Sequence, residues 1–420
     1  MAAERDNVRF NFTMGLLHGI FYRAGIAFSE PSSVLPVFLN QFTGSLTLIG
    51  VFSALMQGGG ILPLLFVAHR LEGKPRKKPV MVAAIWTRAA AWGVLGLLTF
   101  FWSGSDPTLI LVALVVLLFI FSFAGGVASI PFNDIWAKTL PATLRGRFFG
   151  HRQLWGGLMA LGAAYVVKRV LGDPDLQFPN NYGILFLLSF IFLVVSYLAL
   201  GSVREPEGRA VPARRSTGQF LRQSVQMIRD DRNFGRLLLS RVTIGFGGFA
   251  LPFYVLYGRS VLGMEDQQIG LLVGAQVAGA IVSNVVWAEL SDRIGNRVVI
   301  RLVAVIGILI PVLALVSSVV VGPRLLVPVF ALLGCSASGT GIGFRNYLLE
   351  IAPAELRPAY IAVAGTVAGI AFLLPIAGGF VVDTWGYQAA FVITTAVVAL
   401  GLVFSFMLGC ARREAREVLP

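Results

Sequence analysis

Charge is scarce in this chain. Asp, Glu, Lys and Arg make up 13% of its 420 residues, about half of what a soluble globule uses to cover its surface. That excludes the two or three soluble domains that length alone would suggest. Cysteine is nearly absent. Cys335 and Cys410 lie far apart, each in an apolar block, so no disulfide framework and no thiolate metal site are expected. The three histidines, His18, His69 and His151, are not clustered, which leaves zinc and haem without ligands, and no cofactor is implied. There is no Gly-rich loop of the P-loop form, hence no ATP-binding motif. No convergent nucleophile and base appear, so an enzyme is not expected. The opening, MAAERDNVRF, lacks an apolar core with a cleavage site, and no cleaved signal peptide is expected.

What the chain has in abundance is apolar sequence. Hydrophobic residues reach 56% and the mean hydropathy is +0.78. A bilayer core takes about 20 apolar residues per helix, and blocks of that size recur throughout. They place spans at roughly 13–40, 45–69, 79–102, 107–137, 148–170, 183–203, 235–258, 268–289, 298–321, 324–351, 358–382 and 386–410. The expected fold is an all-α integral membrane protein of about twelve helices. The net charge of +13 does not point to nucleic acid, because the basic residues sit in short stretches between apolar blocks and form no base-reading motif.

Loop charge sets the orientation, since cytoplasmic loops collect Lys and Arg. HRLEGKPRKKP (69–79) is basic; Lys138, Arg145, Arg147 and Arg152 lie in the loop between spans four and five; eight arginines lie from Arg204 to Arg236; then come SDRIGNR (291–297) and the tail Arg412, Arg413 and Arg416. The intervening loops, FTGS, SGSDP, GPR and DTWGY, are nearly bare. Both termini are therefore expected in the cytoplasm. Five lysines against 29 arginines, with many alanines, suggest a GC-rich bacterial genome and so a multi-pass protein of the inner membrane.

The longest break divides the chain. Residues 1–12 form a cytoplasmic N-terminus, 13–203 a first six-helix bundle, 204–234 a cytoplasmic linker, 235–410 a second bundle and 411–420 a tail. The linker begins with the Pro- and Arg-rich REPEGRAVPARR, which reads as flexible. It continues with Phe220, Leu221, Ser224, Val225 and Ile228 at helical spacing, which predicts a short amphipathic surface helix. The two bundles echo each other. PATLR (141–145) and PAELR (353–357) each end a long apolar block; LIG (48–50) and QIG (268–270) each open a span, with Gly59 and Gly279 at the same offset; VLPVF (34–38) and ALPFY (250–254) end the first and seventh spans. Duplicated halves are a common transporter design, with the solute site at mid-depth.

These residues resemble the major facilitator superfamily, over the whole chain. ELSDRIGNR (289–297) is similar to that family's acidic–basic–glycine loop motif, whereas the first-half loop HRLEGKPRKK keeps the basic run and lacks the aspartate. Glu350 and Arg357, with six residues between them, resemble the E-x6-R element that ends the tenth span in sugar-porter-like members. In the first half Lys138 and Arg145 occupy those places and Asp134, one turn earlier, can stand in for the acid. The fifth span, QLWGGLMALGAAY, lacks the Gly-Pro pattern of drug–proton antiporters. The resemblance implies two pseudo-symmetric bundles that rock, with a cytoplasmic gate of Asp134, Lys138, Arg145, Asp292, Arg293, Arg345, Glu350 and Arg357. Asn133 and Asn346 fit the same end.

Ionisable groups at membrane depth are functional candidates by default. Arg23 and Glu30 are two turns apart, which on a continuous helix puts them on one face about 10 Å apart, and Pro31 loosens the helix beside Glu30. Glu30 is the candidate proton carrier. Arg23 is an anion contact or its charge partner, and the plainer reading is a buried ion pair with no transport role. Arg241, near the symmetry position of Arg23, and Arg88 in the third span have snorkelling as their plainer reading. Tyr22, Gln57, Gln153, Trp155, Gln276 and Asn284 are candidate solute contacts, each also explicable by packing or interhelical hydrogen bonds.

The expected function is secondary transport of a small polar or anionic organic solute by alternating access, with proton coupling, by a monomer whose partners are the bilayer, the solute and protons. An amphiphile efflux pump is the nearest alternative. A non-transporting assembly factor on the same fold is the alternative from a different class.

Overall fold

The computed structural model describes residues 2–60, 63, 76–101, 107–206, 226–319, 322–353 and 356–409. Among them there are helices and no strands. The chain divides into two compact units. One is Met1–Ala213 with Met264–Val277, and the other is Arg214–Gly263 with Ala278–Pro420.

The first unit contains α1 (Ala2–Ala27), α2 (Val34–Asn40), α3 (Leu46–Gly58), α4 (Lys78–Phe101), α5 (Pro107–Thr139), α6 (Ala142–Leu171) and α7 (Asn180–Ser202). α1 packs on α6 and α7, α4 on α5 and α7, and α3 on α5. Small residues permit the closest approach: a Cβ on Gly126 would sit 2.5 Å from the Pro63 ring and collide with the Gly60 carbonyl. With no hydrophobic force between helices in lipid, such backbone proximity is what van der Waals packing needs. The outward faces stay apolar. Val94, Leu97 and Phe101 on α4 and Val112 and Val116 on α5 are all exposed, the surface a membrane covers.

The second unit is built from α8 (Arg232–Gly245), α9 (Phe253–Ser260), α10 (Gln267–Arg293), α11 (Asn296–Ser317), α12 (Leu326–Ile351), α13 (Arg357–Ile370) and α14 (Leu374–Phe406), the first residues of α10 belonging to the first unit. α11 packs on α12 and α14, and α8 on α14. Asp231 caps α8, its carboxylate accepting from the Phe234 amide at 2.9 Å.

Nine helical stretches among the described residues are long and apolar enough to cross a membrane. One of them, Ala359–Phe406, has 48 residues and would extend about 72 Å, more than twice a bilayer core. Gly386, at φ 83° and ψ 170°, interrupts it in a region that only glycine occupies readily, and so divides it into the eleventh and twelfth crossings. α1 with α2 supplies the first crossing, and α3 the described part of the second. The protein is an all-α integral membrane protein of the twelve-helix type.

Three expectations need correction. The first span is not a continuous helix: α1 stops at Ala27 and α2 starts at Val34. The intervening FSEPSS is mostly polar and includes Pro31, which has no amide to donate. Arg23 and Glu30 are therefore not two turns apart on one helix face. The seventh span is likewise broken, by a 3-10 turn at Phe246–Phe249 and then Leu251–Pro252 before α9. Third, the linker's first residues are fixed: Arg204 exchanges backbone–side-chain hydrogen bonds with Asn11 at 2.8 and 3.0 Å. Residues 207–225, which hold most of the amphipathic pattern, lie outside the described residues, as do His69, Cys410 and the tail arginines; Gln226–Asp230 are helical.

Candidate functional site

The break between α1 and α2 places Glu30. Its backbone carbonyl accepts from the amides of Ser33, Val34 and Leu35 at 3.2, 3.0 and 3.2 Å, which organises the start of α2. Its carboxylate faces Ser32, whose Oγ is 3.1 Å from Glu30 Oε1 and 2.9 Å from Gln276 Oε1. A hydroxyl has one proton, so it cannot donate to both oxygens at once. Either a protonated Glu30 donates to Ser32, or Gln276 turns its amide nitrogen toward Ser32. Broken spans with ion and solute groups at the break are a recurring transporter feature.

Arg23, one turn before the end of α1, donates to the side-chain oxygen of Gln153 on α6. Arg152, beside Gln153, lies 5.1 Å from the Phe132 ring centroid. It crosses α1 where Gly19 leaves room, since a Cβ there would collide with its side chain. Arg88 on α4 donates to the Tyr22 hydroxyl at 3.0 Å and lies 4.1 Å from the Phe121 ring centroid. A Cβ on Gly125 would sit 2.7 Å from its Nη1, and one on Gly156 would sit 3.3 Å from Arg23. Each of the three arginines thus rests against a glycine of a neighbouring helix.

His18 completes the cluster. It is buried, with Tyr22, Phe132 and Tyr197 rings 5.6, 5.8 and 6.2 Å away. Ser196 Oγ donates to the His18 carbonyl at 2.9 Å and lies 2.6 Å from His18 Nδ1. Having spent its proton, Ser196 accepts from Nδ1–H, which assigns the tautomer by network logic. Cation–π contacts, each worth roughly 0.5–2 kcal/mol, partly replace water around Arg88 and Arg152. They do not neutralise charge. Among the described residues none of Arg23, Arg88 and Arg152 forms an ion pair.

Trp155 and Gln57 stand apart from this cluster within the first unit. Trp155 is 50% exposed and, two residues past Gln153, points to the opposite side of α6. Gln57 donates to Ser53 at 3.1 Å within α3. In the second unit Asn284 accepts from Ser338 at 3.2 Å, and Arg241 lies 4.8 Å from the Phe344 ring centroid.

The gate candidates fall into two groups, one per unit. In the first unit Asp134 pairs with Lys138 and with Lys77, the latter at 3.2 Å. Glu205 joins them, 3.6 Å from Lys138. Its side chain is 2% exposed and accepts from the Lys77 amide at 3.0 Å and the Lys78 amide at 2.8 Å, putting an anion at the N-terminus of α4. Arg145 donates to the Leu140 and Ala137 carbonyls at 3.1 and 2.7 Å, capping α5. In the second unit Glu350 accepts from Asn296 at 2.7 Å, Asn296 from Ser291 at 2.7 Å, and Asn346 donates to Ser291 at 3.3 Å. Arg293 pairs with Glu289 at 2.6 Å, both exposed, a contact worth little. Asp292 and Arg357 are exposed at their helix ends, and Arg345 is exposed within α12.

A sequence model of the Major Facilitator Superfamily matches residues 24–374, and again 237–419. The chain belongs to that superfamily. No curated protein sequence matches it. Solved structures of the superfamily fold align along nearly the whole chain. A bacterial homologue of the iron transporter ferroportin, inward-facing, is 16% identical with TM-score 0.71, covering 95% of this chain and 98% of its own. A bacterial homologue of the human lysosomal transporter Spinster is 10% identical with TM-score 0.64, covering 97% of each. A point mutant of the nucleoside transporter NupG is 14% identical with TM-score 0.66, covering 96% and 100%. At these identities the likeness shows the fold, and the family match makes the chain a major facilitator transporter embedded in a membrane.

For a facilitator, sequence reading alone overlooks four residues. Arg152 passes as a loop charge, although it lies inside an apolar span. His18 looks solitary until α7 brings Ser196 and Tyr197 to it. Ser32 looks like turn filler, and Glu205 like linker. The available signal was Glu205's position immediately after a span and Arg152's position four residues into one.

Proposed function

We propose that this facilitator carries a small organic anion by alternating access, coupled to a proton at Glu30, in a bacterial inner membrane with both termini cytoplasmic. The carrying observation is the uncompensated positive charge of the first unit: among the described residues Arg23, Arg88 and Arg152 form no ion pair and rest on polar and aromatic side chains, while Asp134 and Glu205 are held by lysines. Arginine at membrane depth faces the bundle interior or a water-filled cavity, and Arg23 is exposed while Arg152 and Gln153 are half-buried. A carboxylate on the solute supplies the missing negative charge, with Arg23, Arg152 and Gln153 as donors.

Ser32 is the link to the proton. With Glu30 ionised, the Ser32 hydroxyl donates to it and Gln276 offers its amide nitrogen to Ser32. With Glu30 protonated, Glu30 donates to Ser32 and Ser32 donates to the Gln276 oxygen. Protonation thereby sets which end of the Gln276 amide is free for solute.

The test is flux into vesicles holding the purified protein, using organic anions with and without an imposed proton gradient. Accumulation that follows the gradient and is lost in Glu30→Gln supports the reading. Gradient-driven uptake that survives Glu30→Gln defeats the coupling, and uptake confined to cations or uncharged amphiphiles defeats the solute class.

A further inference from the structure

Three arginines of the second unit converge on the last turn of α14. Arg236 of α8 donates to the Met407 carbonyl at 3.1 Å, Arg297 of α11 donates to the Leu408 carbonyl at 3.2 Å, and Arg301, one turn further along α11, lies 4.5 Å from the Phe406 ring centroid. Capping of a helix C-terminus accounts for the first two, since the last carbonyls carry about half a negative charge. It does not account for Arg301, which reaches no carbonyl of that turn and whose buried Nε has no hydrogen-bond partner among the described residues. The carboxylates on adjoining elements are taken: Glu350 accepts from Asn296, and Asp231 from Phe234 and Tyr360. Among the described residues no carboxylate forms an ion pair with Arg236, Arg297 or Arg301.

Below the arginines the surface is apolar. Leu302, Val305 and Leu309 form an exposed stripe on α11, and Leu400 and Val403 an exposed stripe on α14. The two helices pack directly, with a Cβ on Gly307 meeting Val398 at 3.0 Å. A cationic end above a two-helix apolar furrow matches the layout of a phospholipid: an anionic headgroup at the helix ends and acyl chains along the span. We infer that the seam between α11 and α14 binds an anionic phospholipid, with its phosphate at Arg297 and Arg301 and its acyl chains on Leu302, Val305 and Val403. Arg301 sits within two turns of the start of α11, where its long side chain can reach headgroup depth. Each basic residue near an anionic lipid surface adds about 1 kcal/mol, enough for a preference over zwitterionic lipid.

Native mass spectrometry of the whole protein, offered phosphatidylglycerol and phosphatidylcholine in equal amounts, reads this directly. The wild-type protein should retain one phosphatidylglycerol under activation that strips phosphatidylcholine. Arg301→Gln should weaken that adduct about fivefold, and the double variant Arg297→Gln/Arg301→Gln by about that factor again, while Arg301→Lys stays near wild type. Arg301→Gln removes no helix cap, so it remains informative if the double variant fails to fold. Equal retention of phosphatidylglycerol by wild type and Arg301→Gln at matched thermal midpoints overturns the proposal, as does equal retention of the two lipids. Displacement by free inorganic phosphate would make this an ion site rather than a lipid site, and would also overturn it.

Discussion

The Ser32 hydroxyl lies 2.9 Å from the side-chain oxygen of Gln276, a residue 244 positions later in the chain, and the same hydroxyl faces Glu30. One proton on one oxygen thus stands between a carboxylate in a helix break and an amide on α10. Ser32→Ala should leave Glu30 able to ionise but cut its link to Gln276. The expected result is flux that persists but responds several-fold less to an imposed proton gradient, since a single hydrogen bond is worth about 0.5–1.5 kcal/mol. Vesicle uptake at two gradient strengths measures it, and an unchanged response would remove Ser32 from the coupling.

Glu30→Gln keeps the size and an acceptor oxygen but cannot exchange a proton. Exchange of labelled solute across the membrane without a gradient should continue, whereas accumulation against a concentration gradient should fall to background. Loss of both would make Glu30 a structural or solute-binding residue instead.

Arg152 depends on Gly19 for its path across α1. Arg152→Gln should weaken binding of the transported anion by about 1.5–3 kcal/mol, roughly ten- to a hundredfold, the usual value for a hydrogen bond to a charged group. Gly19→Ala should produce a similar loss with Arg152 intact, by displacing its side chain. Calorimetric binding to the two single variants and the double variant decides it: the losses should be strongly non-additive. Additive losses would separate the two residues.

Glu205 holds the N-terminus of α4 through the Lys77 and Lys78 amides. Glu205→Ala leaves those two amides without their acceptor and Lys138 with Asp134 as its acidic partner, and should destabilise the first unit by about 1–3 kcal/mol. Glu205→Gln, which retains an acceptor, should lose less. Thermal unfolding of the purified protein in one detergent compares them.

Gly386 divides the eleventh and twelfth crossings at φ 83°. Gly386→Ala should cost about 1–3 kcal/mol through backbone strain alone, because nothing lies within 4 Å of an added Cβ. A lowered thermal midpoint with unchanged helix content by circular dichroism is the expected result.

Much of the fold was legible because lipid imposes a simple rule: backbone polar groups must be satisfied inside each crossing segment. Apolar length therefore located the helices, and repeated motifs such as PATLR and PAELR paired the halves. Site chemistry was only partly legible. Arg23, Glu30, Gln153 and Gln276 could be named from their depth, but not their partners. Likewise the side of α6 that Trp155 occupies and the carbonyls that Arg145 caps were not legible from residue type and position.

By itself the sequence determined a multi-pass helical protein of the facilitator family, because hydrophobic length and motif spacing are local, one-dimensional properties. Only the tertiary structure decided that α1 ends before Glu30, that Gly19 yields a path to Arg152, and that Ser32 reaches Gln276. Those are contacts between segments far apart in the chain. They depend on where helices break and how closely backbones approach, which no local pattern encodes.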